Sequence, residues 1–130
     1  MYDFAALSET SAPDREPTRA EQILKLGQLS LRSEREAATH TISLTGEMDI
    51  ANAGSVEQEM LRVEATDAAA IKLDLSGLTF IDSTGIRMLL MADGRSRANG
   101  IRLVLRRPHA SVLRVLRLAG LEDRLRFADA

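Results

Sequence analysis

The chain has 130 residues, of which 45% are hydrophobic, 28% charged and only 3% aromatic, and it contains no cysteine. This length fits one domain, and the composition is that of an ordinary globular protein with a mainly aliphatic core. The missing cysteine excludes disulfides, thiolate metal sites and a cysteine nucleophile. No apolar run approaches the roughly 18 to 20 residues that cross a bilayer, and no signal-peptide pattern opens the sequence, so we expect a cytoplasmic protein without membrane contact.

The net charge of −2 hides an uneven distribution of charged residues. Residues 1–70 hold 13 acids and 6 bases, whereas residues 71–130 hold 6 acids and 11 bases. A basic half can indicate nucleic-acid binding. These bases are spread over several predicted elements without interleaved aromatics, so we assign them to a solvated face and expect no direct nucleic-acid contact. The arginines concerned are Arg102, Arg106, Arg107, Arg114, Arg117, Arg124 and Arg126.

The N-terminal segment, residues 1–25, mixes Ser, Thr, Pro and acids without sustained periodicity and predicts a tail. Within it, Thr18 and Glu21 have the spacing of a capping box, which allows a short helix ahead of ILKL. The domain proper is expected to span residues 26–130. Its first two segments, LSLRSE and THTISLTG, alternate apolar and polar residues and predict two strands of a hairpin joined at EREA.

The rest of the chain alternates helices and strands. NAGSVEQEMLRVEA predicts a first helix capped by Asn52 or Asp49, AIKLDLSGL a strand, TGIRMLLMADGRSRANG a second helix that ends at Gly100, and IRLVLRR a further strand. Pro108 opens a third helix, and RLRF allows a last short strand. The apolar stripe of the third helix is expected to comprise Val112, Val115, Leu116 and Ala119. The order β-β-α-β-α-β-α(-β) predicts an α/β fold with a small mixed or mostly parallel sheet and helices on at least one face.

The polar run Asp82-Ser83-Thr84-Gly85 falls at a strand-to-helix junction, where the loops of open α/β sheets tend to carry function. Its simplest interpretation is structural, with Ser83 as the N-cap of the second helix. A phosphorylation switch at Ser83 is a second interpretation, because a phosphate there adds roughly −1.5 to −2 charge at a helix start that tolerates it.

Two further interpretations of this run have less support. A serine hydrolase needs a histidine beside Ser83, but His40 shares a predicted strand face with core residues and His109 is expected at the surface. Phosphate or nucleotide binding has no support from a glycine-rich phosphate-binding motif, and Asp82 would repel the phosphate. We therefore expect that the protein is not an enzyme, and a nucleotide-binding module is the weakest alternative function.

Three segments resemble, in order and spacing, the signature regions of the STAS domain family, and within it the bacterial anti-sigma factor antagonists. These segments are ISLTGEMDIANAG, IKLDLSGLTFIDSTGIRMLL and RRPHASVLRVLRLAGLEDRLRF, and the resemblance covers about residues 26–128. It implies a small α/β fold with helices packed against a four- or five-stranded sheet.

The resemblance also implies a function for this chain. In phosphorylatable members, the serine that matches Ser83 is modified by a kinase that is also the anti-sigma factor. The unphosphorylated antagonist binds that anti-sigma factor and releases the sigma factor, and a PP2C-type phosphatase resets the modified form. Asp49 matches the family's G-E-x-D aspartate, while Asp82, Thr84 and Gly85 match the rest of the serine motif. Other STAS domains are structural subunits of stressosomes or lipid-transport complexes, which is the alternative implied here.

The second helix extends the expected partner-binding surface. Since Ile86, Leu89 and Leu90 define its predicted buried side, Arg87, Met91 and Arg95 are expected to project near the junction, and Met88 is added to them. A phosphate on Ser83, beside Asp82 and near Asp49, should block this surface by repulsion. We expect a monomer or weak dimer that binds no cofactor and no metal.

Overall fold

The computed structural model describes residues 21–128. Its elements are β1 (Glu21–Leu26), β2 (Leu29–Glu36), β3 (Thr39–Met48), α1 (Ala53–Glu64), β4 (Ala70–Ile81), α2 (Ser83–Asn99), β5 (Arg102–Arg106) and α3 (Ala110–Leu118). The five strands form one mixed sheet in the order β1-β2-β3-β4-β5, with antiparallel pairing among β1, β2 and β3 and parallel pairing among β3, β4 and β5. The predicted α/β class and mixed sheet are confirmed.

The sheet buries one face only. Ile42, Leu73 and Leu105 are paired across β3, β4 and β5 and are fully buried. Ser43, Asp74 and Arg106, their neighbours along the strands, point to the opposite face and remain partly or fully exposed. All three helices contribute buried side chains to the single core, so the molecule has two layers. No helix in the described range 21–128 is long and apolar enough to cross a membrane.

The predicted domain boundary at residue 26 falls too late, because Glu21–Leu26 forms strand β1. A two-residue turn at Gly27, whose φ is +67°, returns the chain so that Leu24 pairs with Leu31. This hairpin outweighs the local capping-box spacing, and no helix forms at Glu21. Thr18 and the remainder of the predicted tail lie outside the described residues.

The predicted third strand ends too early, since β4 continues past Ser76 and Gly77 to Ile81. The pairing of β3 with β4 shifts register near Thr45, and Gly77 fits there because a Cβ would lie 2.8 Å from Thr45 Oγ1. A side chain at position 77 would therefore separate the strands. The extension carries β4 up to Asp82 and so places the start of α2 at the sheet edge.

The C-terminal expectations are only partly correct. Phe127 makes an isolated bridge to Leu105, so RLRF forms no strand. On α3, Val112 and Leu116 are buried as predicted, whereas Val115 and Ala119 are exposed. The buried stripe of this nine-residue helix is limited to Val112 and Leu116, which lie about one turn apart.

Candidate partner-binding site

Two polar segments meet at the edge where β3 and β4 end. Met48 and Ile81 are paired at the ends of these parallel strands, and the Asp82 N–H donates to the Met48 carbonyl at 3.3 Å. The turn after β3, which begins at Asp49, therefore lies beside the first turn of α2. The fold brings Asp49 together with the Asp82–Gly85 segment, as the sequence predicts.

Asp82, and not Ser83, is the N-cap of α2. Its Oδ1 accepts hydrogen bonds from the Thr84 N–H at 3.0 Å, the Gly85 N–H at 3.3 Å and the Thr84 hydroxyl at 2.5 Å. These bonds favour the charged carboxylate and hold the pKa of Asp82 below its usual value, with the Thr84 hydroxyl as the largest cause. The prediction that Ser83 caps the helix is therefore wrong, because the preceding aspartate already satisfies the first amides.

Ser83 is the first residue of α2 and is exposed. Within residues 21–128, its hydroxyl has no hydrogen-bond partner, whereas the Thr84 hydroxyl is half-buried and bound to Asp82. The Ser83 and Thr84 hydroxyls thus differ in how accessible they are to a modifying enzyme. Ser83 offers a free nucleophilic oxygen to an approaching protein, and Thr84 does not.

Gly85 allows α2 to start close to the strand ends. A Cβ there would lie 2.6 Å from Ile81 Cγ1 and 3.1 Å from Met48 Cε. The two contacted side chains are themselves buried, so they have little room to move. Gly85 therefore has a structural role, because it allows the first turn of α2, which carries Ser83, to lie close to the ends of β3 and β4.

The turn after β3 is held by Asp49 and by Asn52. Asp49 Oδ1 accepts from the Ala51 N–H at 2.9 Å, and Asn52 Oδ1 accepts from the Asp49 N–H at 3.0 Å. The buried Asn52 also donates from Nδ2 to the Leu26 carbonyl at 3.2 Å and the Glu47 carbonyl at 3.0 Å. Asp49 is thus engaged in its own turn and half-buried, and Asn52 is a positioning residue that joins β1, β3 and α1.

A depression of about 300 Å³ opens between the start of α1 and the exposed side of α2. Its rim is apolar, since the Ile50 side chain is 78% exposed and that of Met91 is 49% exposed. Arg87, which is exposed, adds positive charge. The depression, called the junction groove below, is lined by Ile50, Ala53, Gly54, Glu57, Thr84, Arg87, Met88 and Met91.

The structure separates the four residues predicted on α2. Arg87 and Met91 lie on the groove with exposed side chains, in agreement with the expected placement. Met88 is only 3% exposed and forms the floor, so its side chain belongs mainly to the core. Arg95 does not project to a partner, because it is half-buried and binds Glu57 and Glu64 of α1.

Sequence reasoning missed Ile50 and Glu57 as groove residues and Asn52 as the residue that positions the turn. An apolar residue directly after Asp49, within an otherwise polar turn, is a signal that would have identified Ile50. No comparable signal marks Glu57, because its place on the groove depends on how α1 packs beside α2.

The described part of the chain shows no arrangement of side chains that a serine hydrolase or a metal site would need. His40 is buried, and its Nε2 lies 2.6 Å from Ser33 Oγ, while His109 is exposed at the start of α3. Both histidines lie where the sequence predicted them, in the core and at the surface. Across residues 21–128, no group of three or more His, Asp or Glu side chains is arranged to hold a metal ion.

Comparison with known proteins identifies one sequence family and several solved structures of similar fold. The family described as "Mlab, STAS domain" matches residues 31–127. An anti-sigma factor antagonist from Mycobacterium paratuberculosis is similar, with a TM-score of 0.70 and 22% identity over 78% of this chain and 86% of that one. Unphosphorylated SpoIIAA gives a TM-score of 0.61 with 22% identity over 85% and 89% of the two chains. The phosphorylated form of SpoIIAA from Bacillus gives 0.56 with 22% identity over 85% and 92%.

Proposed function

The chain belongs to the STAS domain family, and from this premise we propose that it is a cytoplasmic anti-sigma factor antagonist. In this proposal the unphosphorylated protein binds an anti-sigma factor that is also a serine kinase, and so releases a sigma factor. The observation that carries the proposal is the exposed Ser83 hydroxyl, which has no hydrogen-bond partner within residues 21–128 and lies beside the apolar junction groove. The similarity in fold to anti-sigma factor antagonists, among them SpoIIAA in two phosphorylation states, supports it.

The junction groove supplies the contact surface in this proposal. Ile50 and Met91 present apolar side chains that a partner would desolvate, and the flexible thioether of Met91 adapts to the partner's shape. Arg87 has no acidic partner among residues 21–128 and is available to a carboxylate of the partner. A central apolar contact with a charged rim is the arrangement typical of protein interfaces.

Phosphorylation of Ser83 would act on this surface and not on the fold. The Thr84 and Gly85 amides already donate to Asp82, so the new phosphate would stand at the surface beside a carboxylate whose pKa is lowered. A partner closing over it must desolvate about two additional negative charges. We therefore propose that the modification blocks binding by local repulsion, and that a PP2C-type phosphatase restores the binding form.

Phosphate mapping tests the modification. The protein is incubated with its candidate kinase and ATP, and the phosphorylated residue is identified by mass spectrometry. We expect phosphate on Ser83 and none after Ser83→Ala, while Ser111→Ala, at an exposed serine near the start of α3, leaves the level unchanged. Modification elsewhere but never on Ser83 would overturn the assignment.

Measuring the affinity for the anti-sigma factor tests whether negative charge at Ser83 blocks binding. We expect Ser83→Asp to weaken binding at least tenfold, Ser83→Ala to bind like the parent protein, and Ser111→Asp, the matched charge control, to have no effect. The unfolding free energy of Ser83→Asp should stay within about 0.5 kcal/mol of the parent, because the residue is exposed. Equal binding by the two Ser83 variants would contradict the charge-block mechanism.

A structural subunit of a larger assembly is the second candidate function. It is favoured by a separate apolar patch on α3, where Leu118 is 80% exposed and Val115 is 37% exposed. Size-exclusion chromatography with light scattering distinguishes the two functions. A large defined oligomer that Leu118→Asp dissolves would favour the scaffold, whereas loss of partner binding on Ile50→Asp but not on Leu118→Asp would favour the antagonist.

A further inference from the structure

A second depression lies at the other end of α2, between the C-terminal turns of that helix, the start of β5 and the segment that follows α3. It has a volume of about 400 Å³, and its lining includes Arg97, Arg102 and Arg126. We propose that this depression, called the arginine site below, binds a phosphate-bearing small molecule. The proposal concerns a surface apart from Ser83 and does not rest on the function proposed above.

The charge of the arginine site is strongly positive. Its one acidic residue, Asp93, is 2% exposed, and its carboxylate is engaged by Arg97 Nε at 2.9 Å and lies 3.7 Å from Arg124 Nε. Arg102 and Arg126 are exposed and form no ion pair with any acid of residues 21–128. The lining thus holds three arginines and one carboxylate, which is already paired with Arg97, and this leaves a net positive charge for an anionic ligand to neutralise.

The frame of the arginine site is held in place by its own hydrogen bonds. Arg97 donates both to Asp93 and, from Nη2, to the Arg124 carbonyl at 3.1 Å. The Arg126 carbonyl accepts from the Leu105 N–H at 2.8 Å, and the Ala128 N–H donates to the Leu105 carbonyl at 2.8 Å. These bonds fix the segment after α3 against the edge of β5. The backbone positions from which Arg97 and Arg126 extend are therefore fixed, which lowers the entropy cost of binding a ligand there.

A backbone amide adds a neutral donor. Leu105 directs its N–H and carbonyl away from β4, toward the Arg126 segment, and alternate residues of a strand direct their amides to the same side. Leu103 lines the depression, is buried, and its outward N–H has no backbone acceptor within residues 21–128. A buried amide without an acceptor is costly, and a bound oxygen ligand would satisfy it.

Phosphate is the anion that these donors fit. Guanidinium forks bind phosphate oxygens in pairs, and a phosphomonoester carries close to two negative charges at neutral pH, against one for a carboxylate. The lining also includes the apolar residues Ile101 and Leu103, which an organic group on the phosphate could contact. Because the surface is a confined depression and not an extended track, a small molecule fits better than a nucleic-acid strand.

Isothermal titration and NMR test the proposal with inorganic phosphate, pyrophosphate and glycerol 3-phosphate at constant ionic strength. We expect saturable one-to-one binding and a shift of the Leu103 amide resonance. Arg126→Gln or Arg102→Gln should weaken binding at least tenfold with an unchanged unfolding midpoint, since both residues are exposed. Arg114→Gln, the matched control at an exposed arginine of α3, should bind like the parent protein.

The ligands separate the sources of the phosphate. Tighter binding of glycerol 3-phosphate than of inorganic phosphate would assign the arginine site to an organic phosphate, and equal binding would assign it to free phosphate. The proposal is overturned if no ligand saturates the protein, or if Arg114→Gln weakens binding as much as the two site variants do. That second result would show only general attraction to a basic surface.

Discussion

At the scale of single residues, Gly85 is the glycine of the candidate site where an added side chain should destabilise the fold. A Cβ there would meet Ile81 and Met48, both buried, at 2.6 Å and 3.1 Å. We expect Gly85→Ala to lower the free energy of unfolding by about 1–3 kcal/mol, because overpacking forces neighbouring groups out of place. Chemical denaturation at neutral pH measures the change.

Gly94 provides the matched control within the same helix. It lies in the interior of α2, is exposed, and a Cβ there would meet no atom within 4 Å. Gly94→Ala should therefore raise the unfolding free energy by about 0.5–1 kcal/mol, the difference in helix propensity. If both substitutions stabilised the protein, the close contact at Gly85 would have no energetic consequence.

The sequence located the candidate site but not the role of each residue in it. The motif placed Asp82 to Gly85 correctly at a strand-to-helix junction. It led wrongly to Ser83 as the cap, since both residue types are good caps and the choice depends on β4 ending at Ile81. The burial of Met88 likewise depends on how far α2 rotates about its own axis, which a short helical pattern leaves undetermined.

At the scale of elements, Arg95 joins the two helices that form the junction groove. Its guanidinium makes a bidentate contact with Glu64 at 2.7 Å and 3.1 Å and also reaches Glu57 at 3.2 Å. The hydrogen bonds to Glu64 are the largest cause of the raised pKa of Arg95. Because Glu57 lines the groove, this contact sets the spacing of the two groove walls.

Arg95→Met should lower the unfolding free energy by about 1–3 kcal/mol, since it leaves the largely buried Glu64 carboxylate without its partner. Urea denaturation measures the loss, and Arg114→Met, at an exposed arginine of α3, serves as the control. A double-mutant cycle with Glu64→Gln isolates the pair. A coupling energy near zero would mean that the contact does not stabilise the helix pair.

Strand β1 is integral to the sheet, although the sequence assigned most of it to a tail. Its Leu24 and Leu26 pack against the core, and the Leu26 carbonyl accepts from Asn52 in the turn beside the candidate site. We expect a chain that lacks residues 1–26 to unfold at a clearly lower temperature than a chain that lacks residues 1–20. Circular dichroism of the two chains tests this, and equal midpoints would show that β1 contributes nothing.

The elements that the sequence predicted correctly are those with a strong period and clear ends. Helix α2 ends at Gly100, whose φ is +72°, as the Asn-Gly pair indicates. Strand β1 was missed because only six residues, flanked by polar segments, carry its alternation. Its pairing with β2 comes from the hairpin turn, and a contact between strands is not visible in either strand alone.

At the scale of the whole molecule, one buried polar cluster joins both layers. Ser33 of β2 and His40 of β3 lie 2.6 Å apart between Ser33 Oγ and His40 Nε2, and Glu59 of α1 is buried beside them. Glu59 accepts from Arg62 at 2.9 Å and 2.6 Å, and these hydrogen bonds are the main cause of its lowered pKa. The cluster ties helix α1 to the sheet with polar contacts, so its protonation state affects the stability of the entire fold.

Burial lowers the pKa of His40 below 6.5, and the positive charges of Arg62 and Arg35 lower it further against the opposing effect of Glu59 and Glu34. The native state therefore favours neutral His40, so the unfolded chain takes up a proton first as the pH falls. We expect the unfolding free energy to be constant above about pH 7.5 and to decrease below about pH 6.5, by at most about 1.4 kcal/mol per pH unit from this one group. Urea denaturation between pH 8 and pH 5 measures the slope. His40→Gln should remove it, and His109→Gln, at the exposed histidine, should retain it; an equal slope in both variants would assign the pH dependence to other groups.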